Sequence, residues 1–266
     1  MSKKIKRLRE LFNQTWRERL ETLKHDRDDP NDEEPQDLMQ MMVRYAAKYR
    51  PEQVRDLDEM TRRLIANNFA SIHQTAIQAT NHLLNIVGSN SEFNTKSVLS
   101  HEINEVLSTD GDERWTKAKV NKVMKADSVS RETLRLHSFG GRSMFRLVGV
   151  DDFRTPEGIH LPKGTIISFL GQPAQTDPEI FEEPLRFDPF RFYRIREEAG
   201  ARNKNTPLVT FVSTAPDFLP FSHGKHACPG RFLVDFELKM IMAHILRHYE
   251  SSFLPITMAS VRQITG

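Results

Sequence analysis

The sequence has a single cysteine, Cys228, among 266 residues, which excludes an intrachain disulfide framework. A lone thiol suits a reducing compartment. No apolar run approaches the ~18 residues that a membrane-crossing helix needs, so no transmembrane helix is predicted. Excess charge of one sign is also lacking: 38 Lys and Arg against 36 Asp and Glu leave +2, which gives no case for a nucleic-acid partner. The opening segment carries Lys3, Lys4, Lys6, Arg7 and Arg9, but no apolar core follows them. It does not read as a secretory signal. The length suffices for one large domain or two small ones.

What is present reads mostly as helix. Ile5, Leu8, Phe12, Trp16, Leu20 and Leu23 recur at three- and four-residue spacing and predict a basic amphipathic helix over 3–24. Two readings stand for it: packing on its own domain, or lying on a membrane surface. Asp26 to Asp37, with Pro30 and Pro35, reads as a solvated acidic loop, and a helix over Leu38–Lys48 ends at Arg50-Pro51. Val54 to Val87 holds no Pro or Gly and predicts one long helix of roughly 50 Å, closed by Gly88-Ser89-Asn90. Further helices are expected over 95–108, 113–125 and Ser128–His137. Strands are expected over Arg142–Val150, Ile159–Leu161 and Thr165–Phe169, with Pro162-Lys163-Gly164 as the turn joining the last two. Residues 193–217 read as an irregular meander. A final helix follows Pro229 and runs to Tyr249, with Phe232, Phe236, Lys239, Met240 and Ala243 on one side and Lys239 snorkelling at its edge. There is no internal repeat. The order predicts a mainly α fold with a minor β-sheet.

The most specific segment is Phe221-Ser222-His223-Gly224-Lys225-His226-Ala227-Cys228-Pro229-Gly230-Arg231. Glycine at 224 permits close approach of a bulky planar ligand. A helix starting at Pro229 puts its N-terminal dipole beside the sulfur and favours a thiolate. His226 offers a cation two residues before the cysteine. From these residues alone, a buried free cysteine and a zinc site on His223, His226 and Cys228 also stand.

The segment resembles the cysteine loop of the cytochrome P450 family, Phe-x-x-Gly-x-(Arg or His)-x-Cys-x-Gly, at Phe221, Gly224, His226, Cys228 and Gly230. His-Ala-Cys-Pro-Gly-Arg is similar to filamentous fungal members. Ser222 stands where many members have glycine. Two further segments appear in family order. Glu132-Thr133-Leu134-Arg135 resembles the family's Glu-x-x-Arg pair, and Phe187-Asp188-Pro189-Phe190-Arg191-Phe192 resembles its Pro-x-Arg-Phe segment. Gly158 to Thr165 resembles a family hairpin. The resemblance implies the C-terminal part of the P450 fold, truncated at the N-terminus: helices over 1–52 that precede a long central helix, then a haem-binding portion over 53–266. It implies heme b (iron protoporphyrin IX) with Cys228 as the axial iron ligand, a cradle of Phe221, Gly224 and Gly230, and propionate cations from His226 and from Arg146 or Arg142, with Arg146 favoured. It implies a buried network of Glu132, Arg135 and Arg191 that holds the loop.

In the family the long helix crosses the haem with a small-residue pair followed by an acid and a threonine. Ala70 and Ser71 match the pair, His73 lies at the acid's position and Gln74 at the threonine's, and Thr75 comes one residue later. A relay of protons to the oxygen site needs a hydroxyl or a group titrating near neutrality, which His73 and Thr75 offer and Gln74 does not. Thr75 is a hundred degrees of helix from Gln74 unless the helix is bulged. The resemblance implies a haem-thiolate monooxygenase that inserts oxygen into a small apolar terpenoid, polyketide or alkaloid. Electrons would come from NADPH through NADPH–cytochrome P450 reductase, at the cytosolic face of the endoplasmic reticulum. Two other functions stay open: an inactive remnant, because the chain corresponds to about half a full member, and a rearrangement or peroxide-driven enzyme lacking the usual relay.

Overall fold

The apolar spacing of the first segment builds helix α1 (Lys3–Glu21), continued by a single 3-10 turn, Thr22–Lys24. Its stripe is spent on its own unit: Trp16 is buried in a cluster with Val43, Ala46, Val54 and Met60. The packed reading of this helix therefore holds. The computed structural model describes residues 3–24, 35–108, 111, 114–201 and 209–250, and the acidic stretch Asp26–Asp37 lies largely outside them. Asp37 itself caps α2 (Leu38–Tyr49), its carboxylate accepting from the Gln40 N–H at 2.9 Å.

Helix α3 (Leu57–Asn68) starts three residues later than predicted because the Asp56 carboxylate accepts from the Asp58 and Glu59 N–H groups, both at 3.0 Å. The helix is not one regular rod. A π turn spans Phe69–His73 before α4 (Gln74–Gly88) resumes α geometry. The chain divides into two compact units, Met1–His73 and Gln74–Gly266, so the division falls between two residues of the expected relay and well beyond the 52/53 boundary drawn from sequence.

In the second unit, α4 is followed by α5 (Asn90–Phe93), α6 (Thr95–Ser108), α7 (Lys117–Val120) and α8 (Met124–Leu136). The helix expected over 113–125 is thus only the short α7. On α6, Leu99, Ile103 and Leu107 at four-residue spacing are buried against Ile86, Val129 and Met242; each contributes about 1.5–3 kcal/mol by leaving water. The Glu102 carboxylate accepts from the Lys125 and Ala126 N–H groups at 2.8 and 3.0 Å and so satisfies the start of α8. Burial raises the Glu102 pKa, and those backbone bonds oppose the shift.

Four short strands follow: β1 (Arg142–Leu147), β2 (Phe153–Arg154), β3 (His160–Leu161) and β4 (Ile166–Leu170). The predicted pairing is corrected here. The turn at Pro162-Lys163-Gly164 does form, with the Thr165 N–H donating to the Pro162 carbonyl at 3.1 Å, but it links strands of different ladders. β4 pairs antiparallel with β1, across a bulge where Met144 takes φ 52°, and β3 pairs with β2. Helix α9 (Gly171–Gln175) follows β4. Helix α10 (Arg191–Ala201) then occupies the first part of the expected meander. Its charges misled the reading, since Phe192 is its buried anchor and its arginines find acidic partners. Helix α11 (Arg231–His248) closes the described part of the unit. Among the described residues no helix is long and apolar enough to cross a membrane.

The buried face of α4 carries Gln78, His82 and Ile86. His82 sits with Nδ1 2.6 Å from the Gln78 carbonyl, and burial pushes its pKa down to about 4. An unfolded histidine titrates near 6.5, so between these values the unfolded chain binds the extra proton and stability rises with pH. Stability is expected to be full above pH ~6.5 and to fall by roughly 3 kcal/mol towards pH ~4. Urea unfolding across this window, with His82→Gln for comparison, checks it: the slope should largely disappear in the variant.

Candidate active site

Helix α8 is buried along nearly its whole length, charges included. The Glu132 and Arg135 side chains are fully buried and meet in a two-pronged pair, Arg135 Nε on Oε2 and Nη2 on Oε1, each at 2.7 Å. Arg191, at the start of α10, adds its Nε to Oε1 at 3.2 Å, and the Asp188 N–H donates to the same oxygen at 3.2 Å. The remaining guanidinium protons go to carbonyls. Arg135 Nη1 donates to Gln175 and Pro184 at 2.8 and 2.6 Å, and Arg191 Nη1 donates to Glu182 at 2.7 Å. The structure thus brings Glu132, Arg135 and Arg191 together as a satisfied buried cluster. The Gln175 side chain extends it: Nε2 donates to the Arg135 carbonyl at 2.8 Å and Oε1 accepts from the Leu219 N–H at 3.3 Å, two residues before Phe221.

A second buried cluster had no sequence signal. Asp127, one turn before Arg131 on α8, accepts from Arg196 Nη1 at 2.8 Å, Lys239 Nζ at 2.9 Å and the Phe211 N–H at 3.0 Å. Lys239 also pairs with Asp235 at 2.7 Å. The expected snorkelling is therefore wrong: Lys239 is 3% exposed, and two carboxylates inside the unit, Asp127 and Asp235, pair its ammonium and offset the cost of taking it out of water. Burial raises the Asp235 pKa, and Lys239 opposes that shift. Arg131 donates Nη1 to the Thr210 and Ser213 carbonyls at 2.6 and 2.9 Å, with its guanidinium 3.6 Å from the Phe218 ring centre. Its burial pulls the pKa down to about 10.

The cysteine loop stands at the head of α11. The Cys228 N–H donates to the Phe221 carbonyl at 2.8 Å and the Ala227 N–H to the Gly224 carbonyl at 3.0 Å, closing a 3-10 turn at Gly224–His226. Gly224 takes φ 68° with open space where a side chain would begin. Ser222 takes φ 62°, a left-handed conformation that suits the glycine many family members carry there and costs a serine about 1 kcal/mol. Gly230 caps α11, and a methyl at its α-carbon would stand 3.7 Å from the Cys228 sulfur. The thiol is free and exposed, which sets aside the buried-cysteine reading. His226 is exposed, whereas His223 Nδ1 lies 3.1 Å from the Thr214 hydroxyl. Among the described residues no group of three or more His, Cys, Asp or Glu is placed to hold a metal ion. An exposed soft sulfur donor on a closed loop, with open space at Gly224 and a histidine beside it, fits a thiolate-ligated haem.

The other candidates are placed as follows. Arg146 is half-buried and donates to the neighbouring Phe145 carbonyl at 2.8 Å, while Arg142 is exposed at the end of β1. His73 is exposed and stacks on Phe69 at 5.5 Å. Gln74 is exposed, but Thr75 is half-buried and shares the α4 face of Gln78, Ala79 and His82. Ala79 on that face packs with Phe221 against the cluster of Leu134, Phe211, Phe218 and Leu238.

A helical unit with a cysteine loop seated on a buried Glu-x-x-Arg cluster defines a class, and the comparisons agree with it. The cytochrome P450 family model matches residues 1–264, and the chain belongs to that family. Among curated relatives, cytochrome P450 monooxygenase pbrC of Penicillium brasilianum is 49% identical over 95% of this chain and 48% of its own length. Cytochrome P450 monooxygenase astC of Aspergillus terreus is 47% identical over 94% of this chain and 47% of its own length, and tenB of Beauveria bassiana is 45% identical over 92% and 46%. The chain spans about half the length of the curated relatives it matches.

Removing Glu132 leaves two arginines buried without their carboxylate. Glu132→Ala and Arg135→Ala are each expected to cost about 3–5 kcal/mol, and Arg191→Ala, at the partly exposed rim, less. Because the side chains share one carboxylate, the double variant Glu132→Ala/Arg135→Ala should cost clearly less than the sum of its singles in urea unfolding. Additive losses would refute a shared buried cluster.

Proposed function

We propose that the chain is the haem-binding portion of a cytochrome P450 monooxygenase that inserts oxygen into a small apolar intermediate of secondary metabolism, a terpenoid, polyketide or alkaloid. The observation that carries this is the exposed Cys228 thiol, presented by a closed loop at the head of α11. Haem, when bound, supplies the activation of molecular oxygen. The chain's own residues take defined parts around it. Cys228 gives its sulfur to the iron. Phe221, Gly224 and Gly230 shape the loop around the ring, and His226, with Arg146 from β1, meets the propionates. Glu132, Arg135 and Arg191 hold the loop's support. The relatives, each named a cytochrome P450 monooxygenase, support the monooxygenase reading. Electrons reach the site from NADPH through NADPH–cytochrome P450 reductase, at the cytosolic face of the endoplasmic reticulum.

The proton-holding hydroxyl belongs to Thr75 in this proposal. Gln74 stands at the family's threonine position, and Thr75 lies on the half-buried face that leads through Ala79 to the packing around Phe221. A hydroxyl both donates and accepts, so it can hold and pass a proton, whereas an amide cannot. His73, exposed and stacked on Phe69, takes no part in this relay.

The thiolate is tested by the carbon monoxide difference spectrum of the haem-loaded chain. A band at the thiolate position is expected, and Cys228→His should abolish it, because imidazole is a neutral donor. Absence of haem uptake would favour the remnant reading. The hydroxyl is tested in the chain completed with a relative's N-terminal half, by product formed per NADPH consumed. Thr75→Ala should lower this ratio by about tenfold or more, while Gln74→Ala leaves it nearly unchanged. The opposite order would return the role to position 74, and equal turnover with peroxide alone would favour the peroxide-driven reading.

A further inference from the structure

Every charged group on the buried length of α8 is accounted for by the family's known cluster except Asp127 and Arg131, which lie one turn apart and both point at one short segment, Thr210–Ser213. Asp127 accepts from the Phe211 N–H at 3.0 Å, and Arg131 donates to the Thr210 and Ser213 carbonyls at 2.6 and 2.9 Å. The segment is braced within itself by the Thr210 and Ser213 hydroxyls, 2.8 Å apart. What leaves it on the other side goes to the cysteine loop. Arg231 donates Nε to the Val212 carbonyl at 3.0 Å and Nη1 to the Cys228 carbonyl at 2.6 Å, and the Phe211 ring meets Phe221 edge to face at 5.2 Å. Phe221 is the residue whose carbonyl closes the loop on the Cys228 N–H.

We propose that Asp127, Arg131 and Arg231 are positioning residues that form a second clamp on Cys228, acting in series through Thr210–Ser213 and separately from the Glu132 cluster. The physical case rests on reach and satisfaction. A loop segment packed against a buried helix must have its backbone groups paired, and here the pairing comes from charged side chains, whose bonds are roughly twice as strong as neutral ones. A guanidinium offers several donors in a fixed fork, so Arg231 spans two carbonyls from different parts of the chain at once. Lys239 and Arg196 hold the Asp127 carboxylate from α11 and α10, so its orientation towards Phe211 is not free. Loosening either end of the series should release the loop without touching α4. The inference goes beyond the haem reading and does not require haem to be bound.

Native-state amide hydrogen exchange of the chain, read residue by residue, tests it. Arg231→Gln removes a partly exposed side chain and should leave the unit folded. It is expected to speed exchange of the Cys228 N–H about tenfold while the amides of α4 keep their rates, since local openings are reported separately from global unfolding. Arg231→Lys keeps the charge but cannot fork, and should behave like Arg231→Gln. Asp127→Asn should speed exchange at both Phe211 and Cys228. The double variant should exchange at Cys228 no faster than about the faster single, as links in series require. If Asp127→Asn does not fold, the two Arg231 variants decide alone. Unchanged Cys228 exchange in the Arg231 variants would overturn the clamp. So would equal acceleration of every amide, which marks a merely structural role. Loss of haem uptake with this exchange pattern intact would count against the haem reading and not against the clamp.

Discussion

A charge taken out of water must be met by an opposite charge or by aimed dipoles, and helix α8 imposes that constraint on everything around it. Asp127, Arg131, Glu132 and Arg135 are 5%, 3%, 0% and 0% exposed. None of them is tolerable there unpaired. Their partners come from α9, α10, α11 and the two irregular stretches between, so the demand for pairing fixes loops that have no apolar pattern of their own. The carbonyls of Gln175, Pro184, Thr210 and Ser213 are aimed at arginines for this reason. Such clusters contribute little net stability against an apolar alternative, but breaking one partner is costly, and the arrangement is therefore specific.

That logic also separates what the sequence made legible from what it hid. The Glu132–Arg135 pair is local, three apart on one helix face, and can be written down from the sequence. Arg191 is 59 residues from Glu132 and enters only through resemblance to a family pattern. Asp127 and Lys239 are 112 residues apart and lie in none of the three family segments, so nothing short of the fold pairs them. A lone lysine on an apolar helix side reads as a snorkelling edge residue when its partner cannot be seen, and the error at Lys239 follows directly. The same blindness produced the meander over α10. Its buried anchor is Phe192 alone, and its three arginines are explained only by Glu132, Asp188 and Asp127, which lie outside the helix.

Periodicity served well where burial was the dominant force. α1, α2 and α6 fall close to their predicted bounds because an apolar stripe marks each of them. α11 also matches its bounds, but of its predicted side only Lys239 and Ala243 are buried, while Phe232 and Met240 are exposed. It failed at the strands, where residues two to six long carry too few alternations to say which pairs with which. It failed also at Phe69–His73. A π turn leaves no composition signature.

The cysteine loop shows why rigid support and an exposed sulfur belong together. Ser222 holds a left-handed conformation at a cost of about 1 kcal/mol, and Gly224 takes the same hand freely two residues on. Two left-handed residues within three turn the chain sharply, so the backbone folds back and Cys228 returns to within hydrogen-bond distance of Phe221. A turn that tight needs anchors outside itself. The Leu219 N–H on Gln175 holds its entry, and Arg231 on the Val212 and Cys228 carbonyls holds its exit. With entry and exit fixed to elements that α8 organises, the serine's strain is small against the ties that oppose it. The sulfur is left at the surface of the unit as the unconstrained end of a constrained loop. A metal ligand needs that combination: a donor atom open to its ligand, on a backbone that does not move when the ligand arrives.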